Sequence, residues 1–177
     1  MRHGRAVVLV DPYSRLALQP GPTGFPDMDA EPSSDLGGLL AAWGLAYDPT
    51  RVVIDRRYAL IAGMEEEGRR VERPYPLWLQ APPEALSARD LSTTALTRGI
   101  TFATAGALEP LDVEGVSFEP LISTSTDARM IDRDDAVDAD PASLTQGYQP
   151  EGSFTLAARL SGVLQSAFPD GAPEEVV

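Results

Sequence analysis

The sequence predicts an α/β domain: a three-layer, mostly parallel sheet with flanking helices, an added β-hairpin and long loops. Three observations carry this expectation. The run Arg5 to Asp11 (RAVVLVD) is continuously apolar and β-branched before Asp11-Pro12 stops it, the pattern of a strand buried on both faces. Leu36, Leu39, Leu40 and Trp43 recur at i, i+3, i+4 and i+7, the spacing of one apolar helix face. Arg51 to Asp55 (RVVID) then reads as a second strand, so strand, loop, helix and strand follow in the order of a right-handed crossover.

Residues 12–32 are rich in proline and glycine and read as a long loop. Ser33, Ser34 and Asp35 supply an N-cap and a first-turn acid for the helix, which Gly44 ends. Beyond Asp55, the segments 58–62 and 76–79 flank the charged turn Glu65 to Gly68 and predict a hairpin or β-arm. Pro74 and Pro76 place its second strand at a sheet edge, because proline donates no ladder hydrogen bond. Ser87 and Asp90 resemble a capping box before a short helix. Residues 100–103 and 116–122 read as strands with a turn at 106–110 between them, and 154–159 as a late strand after a polar excursion at 132–152. From Phe168 the chain reads as loop.

At 177 residues one domain is expected, and its core can bury roughly 70% of the surface of the unfolded chain. The 15 glycines and 16 prolines favour short elements joined by ordered turns. A formal charge of −13 repels a phosphate backbone, which argues against nucleic acid as a partner. The imbalance lies in residues 74–177, with 5 Arg against 16 acids, whereas residues 1–73 carry 9 Arg and 11 acids. Without cysteine there is no disulfide, no thiolate metal site and no cysteine nucleophile. No run approaches the roughly 20 apolar residues of a membrane span. Because the first predicted strand begins almost at residue 1, residues 1–177 are expected to be the later part of a larger domain.

Catalytic constellations find little support. A Ser-His-Asp triad would depend on His3, the single histidine, and serine–lysine chemistry has no lysine to use. Neither a phosphate-cradling loop nor a dinucleotide fingerprint follows a strand. No catalytic residue, metal or cofactor is therefore assigned. Asp132, Asp134, Asp135, Asp138 and Asp140 offer oxygens to calcium, but Ala136 replaces the third ligand and the glycine and distal glutamate of an EF-hand are missing, so a solvated loop is expected. Arg56-Arg57 and Arg69-Arg70 read as hairpin charges balancing Glu65 to Glu67, with an anion clamp as the sharper possibility. The candidate ligand- or partner-binding residues lie at strand ends and in the first loop: Asp11, Tyr13, Phe25, Asp27, Asp55, Thr124 and Ser125.

The segments Val8 to Pro12, Ser34 to Gly44 with Arg51 to Asp55, and Ile100 to Leu108 together resemble the GldG-like auxiliary domain of ABC transport systems, related to intraflagellar-transport-like folds. The resemblance implies a non-enzymatic domain on the extracytoplasmic, periplasmic face of the bacterial inner membrane. It would be anchored by flanking segments and would dock to ABC-transporter membrane subunits or associated membrane proteins. It transfers no catalytic or binding residue. The alternative expectation is a module that binds a small ligand, a glycan or solute, at the carboxyl edge of the sheet.

Overall fold

A computed structural model describes residues 4–14, 17–20, 24, 31–66, 68–168 and 171. Nine strands and four short helices are present among these residues: α1 Gly38–Ala42, β1 Leu45–Tyr47, β2 Arg51–Asp55, β3 Ala59–Glu66, β4 Arg69–Ala81, α2 Leu91–Thr94, β5 Ile100–Ala103, β6 Leu108–Pro110, β7 Val116–Ser123, β8 Ala128–Asp132, α3 Arg133–Val137, α4 Pro141–Thr145 and β9 Thr155–Gly162. They form three sheets, ordered β1-β6-β9-β7, β2-β8 and β3-β4-β5, and every strand pairing is antiparallel. The expected mostly parallel three-layer α/β fold is therefore wrong. No helix among the described residues exceeds five residues, too short to serve as the crossover a parallel pair requires.

The core is organised by β2. Val52 and Ile54 pack to one side with Tyr75, Leu77, Ala136 and Leu144, while Val53 packs to the other with Leu79, Ala107, Ala128, Met130 and Leu156. Because side chains alternate along a strand, three consecutive apolar residues demand cover on both faces. Here that cover comes from antiparallel strands and from α3 and α4. A third cluster, Ala81, Leu86 and Ile122, joins the end of β4 to β7.

Several local expectations change with the topology. Residues 4–10 adopt no strand, and Val7 and Leu9 are 90% and 86% exposed. The apolar face from Leu36 to Trp43 yields only the five-residue α1, since Leu36 and Gly37 both take positive φ, outside the right-handed helical region. Strand β4 is the middle strand of its sheet, not an edge. Its prolines are tolerated because β5 pairs only with Trp78 to Ala81, and the register with β3 jumps from Ala59↔Leu79 to Leu60↔Tyr75, leaving Pro76 in a bulge. The expected turn at 106–110 contains β6, and the expected loop at 132–152 opens with α3 and α4. The hairpin itself, and strands over 51–55, 100–103, 116–122 and 155–159, match the sequence reading.

The cap of α2 is Asp90 rather than Ser87. Asp90 Oδ1 accepts from Ser92 N at 2.8 Å and Ser92 Oγ at 2.5 Å, and Arg159 on β9 reaches its two oxygens at 2.8 and 2.6 Å. The Ser92 hydrogen bonds first, and then the Arg159 guanidinium, hold this carboxyl at about 2, below an ordinary 3.8. A depressed folded-state pKa adds stability that is complete above the unfolded value and is lost as pH falls through the folded one. The stability difference between the wild type and Asp90→Asn in urea titrations is expected to be constant above about pH 5 and to shrink between about pH 4 and pH 2. Leu77→Ala, emptying a fully buried site, is expected to cost about 2–5 kcal/mol in the same assay.

Candidate functional site

Strand β2 ends at Asp55, whose side chain is 0% exposed. A carboxylate in that position must find donors, and four converge on it. Oδ1 accepts from Arg57 N at 2.8 Å, Tyr58 N at 3.1 Å and Ser125 Oγ at 2.8 Å, and Oδ2 accepts from Ser125 N at 2.7 Å. The first two bonds shape the turn into β3, and the last two fasten it to the β7–β8 connection. Ser125 Oγ in turn accepts from Asp127 N at 3.0 Å.

Thr124 extends the network. Its Oγ1 accepts from Phe154 N at 2.8 Å, its carbonyl accepts from Ser153 Oγ at 2.9 Å, and its own amide donates to the Phe154 carbonyl at 2.9 Å. Three chain segments, 55–58, 124–127 and 153–154, are thereby joined through one buried polar cluster.

Around the cluster sits a more exposed layer. The Arg56 guanidinium forks onto Asp127, Nε to Oδ2 at 3.1 Å and Nη2 to Oδ1 at 3.0 Å, and lies 4.3 Å from the centre of the Tyr148 ring. Tyr148 donates its hydroxyl to the Asp127 carbonyl at 2.6 Å. Burial, reinforced by the nearby charges of Asp127 and Asp55, pushes the Tyr148 phenol up to about 12. Arg129 also approaches this ring, at 5.9 Å, and its Nε is buried with no hydrogen-bond partner.

The sequence-expected residues divide into three groups. Asp55, Thr124 and Ser125 are brought together, each fully engaged with neighbouring protein groups. Asp11 and Tyr13 lie apart: Asp11 bridges Ser34, its Oδ1 accepts from Tyr13 N at 2.9 Å, and the Tyr13 carbonyl accepts from Thr104 Oγ1 at 3.1 Å. Phe25 and Asp27 fall outside the described residues. Among the described residues no hydrogen bond links Asp11 or Tyr13 to the Asp55 cluster.

Of the five aspartates at 132–140, two cap helices and Asp134 pairs with Arg133 Nε at 2.8 Å. Asp132 caps α3 through Asp134 N at 2.9 Å, and Asp140 caps α4 through Ala142 N and Ser143 N at 2.8 and 3.1 Å. Among the described residues no three His, Cys, Asp or Glu side chains converge in a way that would hold a metal ion. Of the arginine doublets, Arg70 stands opposite Glu65 across the hairpin, as expected, whereas Arg56 leaves the hairpin for Asp127. The sequence reading missed Tyr148 and the pairing of Asp127 with Arg56; neither carries a local signal, since both contacts join residues far apart in the chain.

An open groove of about 320 Å³ lies beside this cluster, where the Asp55 turn meets the end of β4. Arg57, Tyr58, Gln80, Glu84 and Arg98 line it. Burial, with the charge of Glu84, raises the Tyr58 phenol pKa.

Asp55→Ala would strand Ser125 N and its neighbours without an acceptor, and is expected to destabilise by at least about 3 kcal/mol, against about 1–2 kcal/mol for Ser125→Ala. Urea unfolding followed by tryptophan fluorescence measures both.

A family model described as ABC-type uncharacterized transport system matches residues 1–176. Comparison with curated proteins and with solved structures gives no match. Among the described residues no helix is long and apolar enough to cross a membrane. The matched span takes in both the β2-centred core and the Asp55 cluster, and the chain belongs to this auxiliary family of ABC-type transport systems.

Proposed function

We propose that the chain is a non-catalytic docking module on the extracytoplasmic, periplasmic face of the bacterial inner membrane, contacting the membrane subunits of an ABC-type transporter or proteins associated with them. The observation that carries this reading is the transport-system family match over residues 1–176, and the full burial of Asp55 behind donors of its own chain agrees with it. A general base or nucleophile needs a lone pair aimed at a substrate, whereas all four hydrogen bonds to this carboxylate come from its own chain. In this reading Asp55, Thr124 and Ser125 position the docking surface, and Asp11, Tyr13, Phe25 and Asp27 contribute to contact with the partner. Membership of a transport-system family supports a partner among transporter components.

The experiment is affinity purification of the full-length protein from its native membranes, with mass spectrometry and a control lacking residues 20–30. Transporter subunits are expected with the intact protein and lost from the control. Equal recovery from both would remove the first loop from the interface, and recovery of neither would remove the docking reading.

A second reading, binding of a glycan or polar solute, is favoured by the groove lined by Tyr58, Gln80 and Glu84 together with Arg57 and Arg98. An aromatic ring bordered by hydrogen-bonding and charged groups suits a polyol. A thermal-shift panel of neutral and acidic sugars is expected to give a rise in melting temperature that Arg98→Ala diminishes. An unchanged melting temperature across the panel excludes this reading.

A further inference from the structure

We infer that the segment Arg5 to Asp11 associates with a second copy of itself, forming a two-fold antiparallel ribbon centred on Val8. Among the described residues the segment has a strand's composition without a strand's partner. Ala6, Val7, Val8, Leu9 and Val10 form an unbroken apolar run of high β-propensity, yet no backbone group from Gly4 to Val10 is hydrogen-bonded among the described residues. Val7 and Leu9 are 90% and 86% exposed, and Val8 40%. Such a run, with unpaired N–H and C=O groups, is a template for strand addition.

The sequence is complementary to itself in one register. With Val8 opposite Val8, Val7 stands opposite Leu9, Ala6 opposite Val10, and Arg5 opposite Asp11 at both ends. Opposite charges close an apolar centre, and the arrangement is symmetric, as an isologous dimer requires. Shifting this antiparallel pairing by two residues breaks both charge pairs. A parallel in-register pair sets Arg5 against Arg5 and Asp11 against Asp11.

The backbone supplies an independent constraint. Asp11 already bridges Ser34, its amide donating to Ser34 Oγ at 3.0 Å and its carbonyl accepting from Ser34 N at 2.9 Å. In an extended chain the amides of residues 5, 7, 9 and 11 point to that same edge, and those of 6, 8 and 10 to the opposite, open edge. Pairing on the open edge makes Val8/Val8 and Ala6/Val10 the hydrogen-bonded pairs. Arg5/Asp11 and Val7/Leu9 become the non-hydrogen-bonded pairs, whose side chains approach most closely. The register chosen by charge is thus also the one in which the charged and largest apolar groups meet. A lone two-stranded ribbon is marginal, so the association is weak and depends on concentration.

Sedimentation velocity of the 177-residue protein tests this, at about 0.15 M salt so that repulsion between two chains of charge −13 is screened beyond about 8 Å. A monomer–dimer equilibrium is expected, shifted at least about tenfold toward monomer by Leu9→Lys and by Arg5→Glu. Residue 9 is 86% exposed in the single chain, so its substitution leaves the fold intact. Amide exchange read residue by residue by NMR is expected to slow at Ala6, Val8 and Val10 on raising the concentration, and to stay fast at Val7 and Leu9. A monomer at every concentration up to about 1 mM, a dimer indifferent to both substitutions, or protection at Val7 and Leu9 instead would each overturn the proposal.

Discussion

Everything in this fold depends on keeping β2 dry on both faces. Val52, Val53 and Ile54 are each 0% exposed, and together they commit two layers of structure to their cover. Burying three such side chains is worth roughly 1.5–3 kcal/mol each as an upper estimate, so few arrangements that leave either face open compete. Strand β8 pairs alongside, β4 and the helices α3 and α4 close one side, and Ala107, Met130 and Leu156 close the other. Asp55 follows at the next position on the same strand. Its burial follows from theirs, and its four hydrogen bonds make that burial tolerable.

How much of this was legible follows from the same strand. A continuous apolar run announces burial on both faces, and 51–55 was readable as a strand for that reason. Two-sided burial does not require a parallel sheet, because stacked antiparallel strands cover a strand as well as helices do. The run at 5–10 carries the same signal and forms no strand, and among the described residues no strand pairs with it. Helices α3 and α4 escaped notice because each is only five residues long, and the aspartates that cap them looked like an acidic loop. In the site, Asp55 and Ser125 were readable as polar residues at strand ends. That they would meet each other across 70 residues was not readable, since pairing at that distance is set by register and leaves no local pattern.

Functionally the molecule spends its polar residues on holding itself together. Asp90 and Arg159 tie α2 to β9, Arg133 reaches the carbonyls of Pro12 and Pro49, and Arg56 locks Asp127 under Tyr148. Side chains that look reactive in the sequence thus become fasteners between segments.

The 70-residue span between Asp55 and Ser125 also bears on how the chain is made. During synthesis at roughly 5–20 residues per second, β2 leaves the ribosome several seconds before the segment that completes its turn. For that interval Val52 to Ile54 have neither their sheet partner nor their polar anchor, and they present a short, sticky run to the surroundings. Slowing translation beyond residue 60 would lengthen the time for which that run stays uncovered.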